Sequence, residues 1–275
     1  MLSFMPELPE VETTCRGLAP HCVGRNIVTA LVRNTQLRWP VPADLAQQVA
    51  GQPILNLSRR AKYLIMTLQH GAIILHLGMS GSLRIMDSNS PAGVHDHIDL
   101  VLDNDTCIRL RDPRRFGAVL WTQSDVLRHP LLENLGPEPL SEMFDETYLH
   151  GYSRGRKVPI KTFLMDSHVV AGVGNIYANE ALFLAGIRPT MPAGRLSLAR
   201  YARLTAAIRT ILARAIEAGG STLRDFVNSA GEAGYFQQQY TVYGRAGESC
   251  RVCSSSIKQI RQGQRSTFYC PCCQT

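Results

Sequence analysis

The chain lacks any apolar run near the roughly 18 residues that a membrane span requires. Its first four residues, Met1-Leu2-Ser3-Phe4, are too few and carry no basic flank for a secretory leader. Internal repeats and low-complexity tracts are missing too, and 45% hydrophobic with 19% charged residues in a length of 275 excludes a disordered chain. Acidic residues are scarce at one end: residues 241–275 hold Arg245, Arg251, Lys258, Arg261 and Arg265 against Glu248, so +4 of the formal net charge of +7 lies there. What remains is a cytoplasmic globular chain long enough for two domains and a small appendix. A pI of about 9.1 suits a polyanionic partner and equally suits mere solubility, so the concentration of charge in the tail says more than its sum.

Hydrophobic spacing divides the chain. Leu8, Val11, Cys15, Leu18 and Cys22 recur at intervals of three and four with Gly24 beyond, which predicts an amphipathic helix and its stop. Strand-like runs follow at residues 26–33, 62–68, 72–77, 82–86, 97–103, 106–111 and 118–122, several joined by Gly or Asn-Asp turns, so the first half reads as a β-sandwich or barrel carrying a helix. After Gly136-Pro137-Glu138-Pro139 the pattern changes: Leu196, Leu204, Ile208, Ile211, Leu212 and Ile216 trace one face of a long helix ended by Gly219-Gly220. Residues 257–260 and 266–269 flank Arg261-Gln262-Gly263-Gln264 and predict a β-hairpin.

Five of the eight cysteines crowd that hairpin. Cys250-x2-Cys253, sixteen residues, then Cys270-x2-Cys273 is the spacing of a four-thiolate zinc site, whose paired turns bring sulfurs to about 2.3 Å from one ion. Two correctly spaced pairs outweigh the alternatives of chance clustering or a redox pair. Cys272 is expected to stand outside the ligand set because Cys273 keeps the spacing. Four cysteines leave no open coordination position, so the expected Zn2+ is structural and no catalytic cofactor is called for.

The run Met5-Pro6-Glu7-Leu8-Pro9-Glu10-Val11-Glu12 carries chemistry of another kind. Removal of Met5 would leave Pro6 as a free secondary amine beside a carboxylate, and an α-amino group, with a pKa of about 7.7 to 8.0, is partly neutral at physiological pH. Attack of that amine on a sugar C1′ would yield an iminium, an electron sink for elimination. Alone, Pro6 and Glu7 suit a helix start equally well. Met5 precedes a small residue that permits methionine removal, whereas Met1 precedes leucine; translation is therefore expected to begin at Met5, because residues 1–5 would otherwise tie the proline nitrogen into an amide.

Several stretches together resemble the bacterial formamidopyrimidine-DNA glycosylases, enzymes that excise oxidised purines such as 8-oxoguanine and ring-opened formamidopyrimidines. They are Pro6-Glu-Leu-Pro-Glu-Val-Glu12, Arg59-Arg-Ala-Lys-Tyr63, His76-Leu-Gly-Met-Ser-Gly81, Asp112-Pro-Arg-Arg-Phe-Gly117, Leu135-Gly-Pro-Glu-Pro139, Val173-Gly-Asn-Ile-Tyr177 and Gln264-Arg-Ser-Thr-Phe-Tyr-Cys270. The resemblance spans nearly everything from Met5 to Cys273. It implies an α+β multidomain fold: an N-terminal antiparallel β-sandwich with a leading helix over residues 6–135, a helical helix-two-turn-helix domain over 136–240 and a four-cysteine zinc-finger hairpin over 241–275.

The same resemblance implies a monomer acting on double-stranded DNA with oxidised bases, with no membrane partner, in a bacterial cytoplasm and at the nucleoid through DNA. Pro6 would be the Schiff-base nucleophile, Glu7 the acid/base, Lys62 an aid to base loss and β-elimination, and Arg265 the δ-elimination residue. Arg265 alone could also be a phosphate contact. Met79, Arg114 and Phe116 would fill the gap left by an extruded base, a role that a thioether, a planar cation and an aromatic ring fit physically. Met79 or Phe116 alone would read as core packing. His95, Arg114 and Arg156 would contact DNA, with Lys161 and Asn175 as further phosphate contacts, Asn175 after a Gly-rich turn that could open a helix N-terminus or be plain turn chemistry. Residues 219–235 fall where the family has its damaged-base recognition loop. Arg156 departs from the lysine of many relatives. Two other readings share parts of this pattern: an endonuclease VIII-like glycosylase for oxidised pyrimidines, and a catalytically silent DNA-binding zinc protein if residues 1–5 stay attached.

Overall fold

The computed structural model describes residues 5–220 and 240–275. These residues divide into two compact units, one of residues 5–133 and 218–220, the other of residues 134–217 and 240–275. The proposed base-recognition segment lies, from Ser221 to Tyr235, outside the described residues.

The first unit opens with α1 (Leu8–Cys22), followed by β1 (Ile27–Val32), α2 (Leu45–Val49), β2 (Ile54–Arg60), β3 (Tyr63–Leu68), β4 (Gly71–His76), β5 (Ser82–Asp87), β6 (Asp96–Leu102), β7 (Thr106–Arg111) and β8 (Ala118–Thr122). Two antiparallel four-stranded sheets, ordered β1-β6-β7-β5 and β2-β3-β4-β8, make the β-sandwich. Helix α1 packs against β2 and β3 of one sheet and β5 of the other. It buries the expected stripe of Leu8, Val11, Cys15, Leu18 and Cys22, each aliphatic side chain contributing about 1.5–3 kcal/mol of transfer free energy. Its first turn is fixed by a capping box in which Glu7 and Glu10 each accept the other's backbone N–H, and Pro9 lies where no intrahelical donor is needed.

The expected strands form within a residue or two of their predicted bounds, while β2 lacked a signal. Its burial does not alternate, because a bulge between Ile54 and Asn56 breaks the two-residue period and its end carries Arg59 and Arg60.

The second unit holds α3 (Glu146–Ser153), α4 (Ile160–Leu164), α5 (Asn175–Leu184) and α6 (Leu198–Glu217), then the hairpin β9 (Lys258–Gln262) and β10 (Arg265–Tyr269). Helix α6 buries Tyr201, Leu204, Ile208, Ile211, Leu212 and Ile216 against α3 and α5, and β10 packs on α5. Leu196 lies in the turn before α6 but is still 1% exposed, which is why it fits the stripe. The hairpin turn is shorter than expected: only Gly263 (φ 51°) and Gln264 (φ 64°) form it, leaving Arg261 and Arg265 on the strands. Among the described residues no helix is long and apolar enough to cross a membrane.

Candidate active site

In the first unit the chemistry gathers around the head of α1 and the ends of two strands. Glu7 is 3% exposed and Glu10 fully buried; the Glu7 N–H donates to Glu10 Oε2 at 2.9 Å and the Glu7 carboxylate accepts the Glu10 N–H in return, so the carboxylate next to Pro6 is set by the helix itself. One turn on, Glu12 accepts Arg59 Nε at 2.8 Å and Arg16 Nε at 2.7 Å. Burial would raise its pKa, but the two guanidiniums outweigh that and hold it below the ordinary value. Arg59 also donates to the Ala61 carbonyl at 2.9 Å, and Ala61 adopts φ 53° in the tight β2–β3 turn that presents Lys62. One ion pair therefore ties the Glu7 helix to the Lys62 turn.

His76, at the end of β4, was not singled out from the sequence, yet it faces this turn. It pairs in register with Tyr63, the rings 4.8 Å apart, and it is 8% exposed. Burial, then the charges of Lys62 and Arg38, push its pKa down to about 4, so the ring is neutral at pH 7. Gly78 N–H donates to Nδ1 at 3.0 Å, which leaves the proton on Nε2. The available signal was a histidine closing the strand that pairs with the Lys62 strand.

Met79, Arg114 and Phe116 come from two loops joined by Asp112. Its buried carboxylate accepts Ser80 Oγ (2.7 Å) and Arg114 N–H (3.3 Å) on Oδ1, and Gly117 N–H (2.7 Å) on Oδ2. Gly78, at φ +63°, lets the loops touch: a Cβ there would fall 2.3 Å from the Phe116 carbonyl carbon. Arg114 lies 5.0 Å over the Phe116 ring, both exposed, and Met79 is half-buried. His95 is half-buried too, its carbonyl accepting Asp112 N–H at 2.9 Å.

In the second unit Asn175 begins α5 after Gly174, and its Nδ2 donates to the Tyr243 hydroxyl at 3.4 Å. Glu180 holds the segment beyond, accepting the backbone N–H groups of Thr241, Val242 and Tyr243 at 2.8 to 3.0 Å. Arg156 is exposed and stacks 5.2 Å over Tyr152. Lys161, read as a phosphate contact, is 1% exposed, and its ammonium donates to Ser266 O at 2.9 Å and Thr267 Oγ1 at 2.7 Å. It thereby fixes β10 directly after the exposed Arg265. A cleft of about 290 Å³ lies between Lys161, Thr162, Met165, Gln262 and Arg265.

The four cysteines Cys250, Cys253, Cys270 and Cys273 converge with all sulfurs within 4.8 Å. Sγ separations of 3.4 Å (Cys253–Cys270) and 3.9 Å (Cys250–Cys273) suit a tetrahedral ion with bonds of about 2.3 Å. Val252 and Cys273 N–H groups point at Cys250 and Cys270 sulfur, as a charged thiolate site requires. Cys272 is exposed, bonded to Ser255 and outside the cluster.

Comparison with known proteins agrees with this construction. Residues 5–119 match the Formamidopyrimidine-DNA glycosylase N-terminal domain, residues 135–227 the Formamidopyrimidine-DNA glycosylase H2TH domain, and residues 247–275 the zinc finger found in FPG and IleRS. A formamidopyrimidine-DNA glycosylase of Marinobacter nauticus is 58% identical over 270 residues, covering 98% of this chain and all of that protein. The chain belongs to the formamidopyrimidine-DNA glycosylase family. Two solved structures superpose with TM-scores of 0.91 at 35% identity, covering 98% of this chain and 100% of theirs. One is a mutant of Lactococcus lactis FPG in complex with Fapy-dG-containing DNA, the other MutM with carbocyclic 8-oxo-G-containing DNA. The β-sandwich, H2TH and four-cysteine zinc-finger architecture expected from the resemblance is thus the one found.

Proposed function

We propose that this protein is a DNA glycosylase that excises oxidised purines, 8-oxoguanine and formamidopyrimidines, from duplex DNA, with the AP-lyase activity typical of its family. The observation that carries the reading is the head of α1, where the capping box buries two carboxylates and fixes Glu7 one residue from Pro6. With residues 1–5 removed, the Pro6 nitrogen attacks C1′ of the damaged nucleotide as the bond to the base breaks and the base departs with a proton. Glu7 protonates the opening sugar ring, which leaves an iminium on C1′; positioned proton transfer of this kind contributes about 10²- to 10⁴-fold. The cationic nitrogen acidifies the C2′–H bond, so that loss of this proton to a base expels the 3′ phosphate by β-elimination, and loss of the C4′ proton then expels the 5′ phosphate by δ-elimination.

Lys62 lies in the turn that faces neutral His76, and it stabilises the departing base and assists β-elimination. Arg265, exposed at the start of β10, supports δ-elimination by charge, since a guanidinium is hardly ever deprotonated. Met79, Arg114 and Phe116 fill the gap left by the extruded nucleotide, and His95, Arg156 and Asn175 hold the backbone. Lys161 serves by fixing the Arg265 strand. One structural Zn2+ on the four cysteines stiffens the hairpin. The working division is a catalytic sandwich over residues 6–135, a helical DNA-binding domain over 136–240 and a zinc hairpin over 241–275, the whole acting at the nucleoid.

Borohydride trapping on an 8-oxoguanine duplex tests this reading, comparing chains that start at Met1 and at Met5. A covalent adduct is expected from the processed Met5 chain alone. Binding without an adduct from that chain would leave a silent DNA-binding protein. Preference for thymine glycol over 8-oxoguanine would move it to the endonuclease VIII-like branch.

A further inference from the structure

The loop of residues 88–95 joins β5 to β6 and ends on His95. Apolar packing does not hold it, for Pro91, Ala92, Gly93 and Val94 are all exposed, Val94 by 90%. Charge holds it from beneath. Arg109 on β7 is 4% exposed and uses its guanidinium twice over: Nε and Nη2 donate to Asp99 at 2.9 and 2.8 Å, while Nη2 and Nη1 donate to the Ser90 and Pro91 carbonyls at 2.9 and 3.2 Å.

Asp99, fully buried and cross-strand from Arg109, also accepts Arg33 Nη2 at 2.6 Å. Asp96, cross-strand from Arg111, takes the Gly93 N–H on Oδ2 at 2.7 Å and lies 3.9 Å from Arg109 Nη1. Burial alone would raise the Asp99 pKa, but Arg109 and Arg33 together bring it below its ordinary value, so Asp99 is held as a carboxylate. Finally, Asp112 N–H donates to the His95 carbonyl and the His97 ring bonds the Asp112 carbonyl at 2.8 Å, which ties the end of the loop to the Arg114 loop.

Stability is a poor explanation for such a lattice, because a well-packed apolar pair often does as well as a buried ion pair. Only the planar fork of arginine can grip a carboxylate on one side and two successive loop carbonyls on the other; lysine offers a single nitrogen. We propose that Arg109, supported by Asp99 and Asp96, is a positioning residue that fixes loop 88–95 and through it presents His95 to a backbone phosphate of the duplex. The second half rests on His95 being a DNA contact as read above.

Arg109→Lys, His95→Ala and the double variant, titrated against a duplex carrying a tetrahydrofuran abasic analogue, form a cycle that tests it. Each single change is expected to raise Kd about tenfold, the double change little more than His95→Ala alone, and the rise in Kd to exceed any fall in the single-turnover rate. Losses that multiply in the double variant overturn the link through His95. Amide exchange separates the two halves: Arg109→Lys should expose Ser90 and Gly93 N–H while β6 and β7 stay protected. Unchanged exchange overturns loop fixing whatever His95→Ala does, whereas an unaltered Kd for His95→Ala with faster loop exchange discards the His95 contact alone. Should Arg109→Lys fail to fold, Asp96→Ala keeps the Arg109–Asp99 pair, removes the Gly93 anchor and carries the same expectations.

Discussion

Asp112 is where the two loops bearing Met79, Arg114 and Phe116 become one surface, and replacing it by asparagine tests that role directly. The carboxylate serves donors on both oxygens: Ser80 Oγ and Arg114 N–H on Oδ1, Gly117 N–H on Oδ2. Asparagine keeps one oxygen. If that oxygen stays with Ser80, its NH2 meets the Gly117 N–H, donor against donor, at a fully buried position. One charge-assisted bond, about 1.5–3 kcal/mol, is lost and a buried N–H is left unpaired at about 1–3 kcal/mol, so a combined cost of about 3–5 kcal/mol is expected. Both tryptophans, Trp39 and Trp121, lie in the first unit, so their fluorescence reports its unfolding. With a urea dependence of about 2 kcal/mol per molar, the midpoint should fall by about 1.5–2.5 M. Ser80→Ala removes one donor to Oδ1 and one of the two acceptors of the Arg114 N–H, which Asp112 still serves, and should cost about 1 kcal/mol. Affinity for abasic-analogue duplex should fall further in Asp112→Asn than in Ser80→Ala. A midpoint within about 0.2 M of the parent, or full affinity, would refute the account of how these loops are held.

Three further outcomes follow from the same structure. His76 has a folded pKa near 4 against about 6.5 unfolded, so the unfolded chain binds the extra proton between those values. Stability of the first unit should therefore be undiminished by His76 above about pH 6.5 and fall by on the order of 3 kcal/mol as pH drops through 4, and His76→Gln should flatten that slope in urea titrations. Gly78→Ala places a methyl 2.3 Å from the Phe116 backbone at a positive φ; it should cost about 2 kcal/mol or more and weaken abasic-duplex binding, while normal values for both would show that the loops part freely. Zinc chelation should abolish duplex binding yet leave the tryptophan-reported transition in place, and unchanged affinity without zinc would remove the hairpin from the DNA-binding surface.

What the sequence disclosed follows from how local each signal is. Leu8, Val11, Cys15, Leu18 and Cys22 declare α1 because one helical face buries them all, and the cysteine pairs declare the metal site because ligand spacing is itself local. Glu7 stands out in the sequence by its place beside Pro6, but its capping partner, Glu10, emerges only with the folded first turn. Strand β2 escaped because its bulge breaks the alternation on which strand reading depends. The surroundings of Lys161 were out of reach for a deeper reason: only the fold supplies the Ser266 and Thr267 oxygens, over a hundred residues on, that make its burial tolerable.

The Arg109 lattice marks the limit of periodicity most sharply. Along β7 the sequence Thr-Cys-Ile-Arg-Leu-Arg alternates as a half-exposed strand should, assigning Arg109 and Arg111 to solvent. Arg111 obeys, half-buried at the end of β7, while Arg109 is enclosed where the Ser90 and Pro91 carbonyls of loop 88–95 meet its guanidinium. A two-residue period says which face a side chain takes and nothing of what covers the face. Once the loop covers it, charge there must be matched by charge, and Asp99 and Asp96 stand at the paired positions on β6. The covering loop and the buried ion lattice are thus one feature, and a buried charge ladder beside an apolar-poor loop is the sign by which loop-positioning residues can be sought.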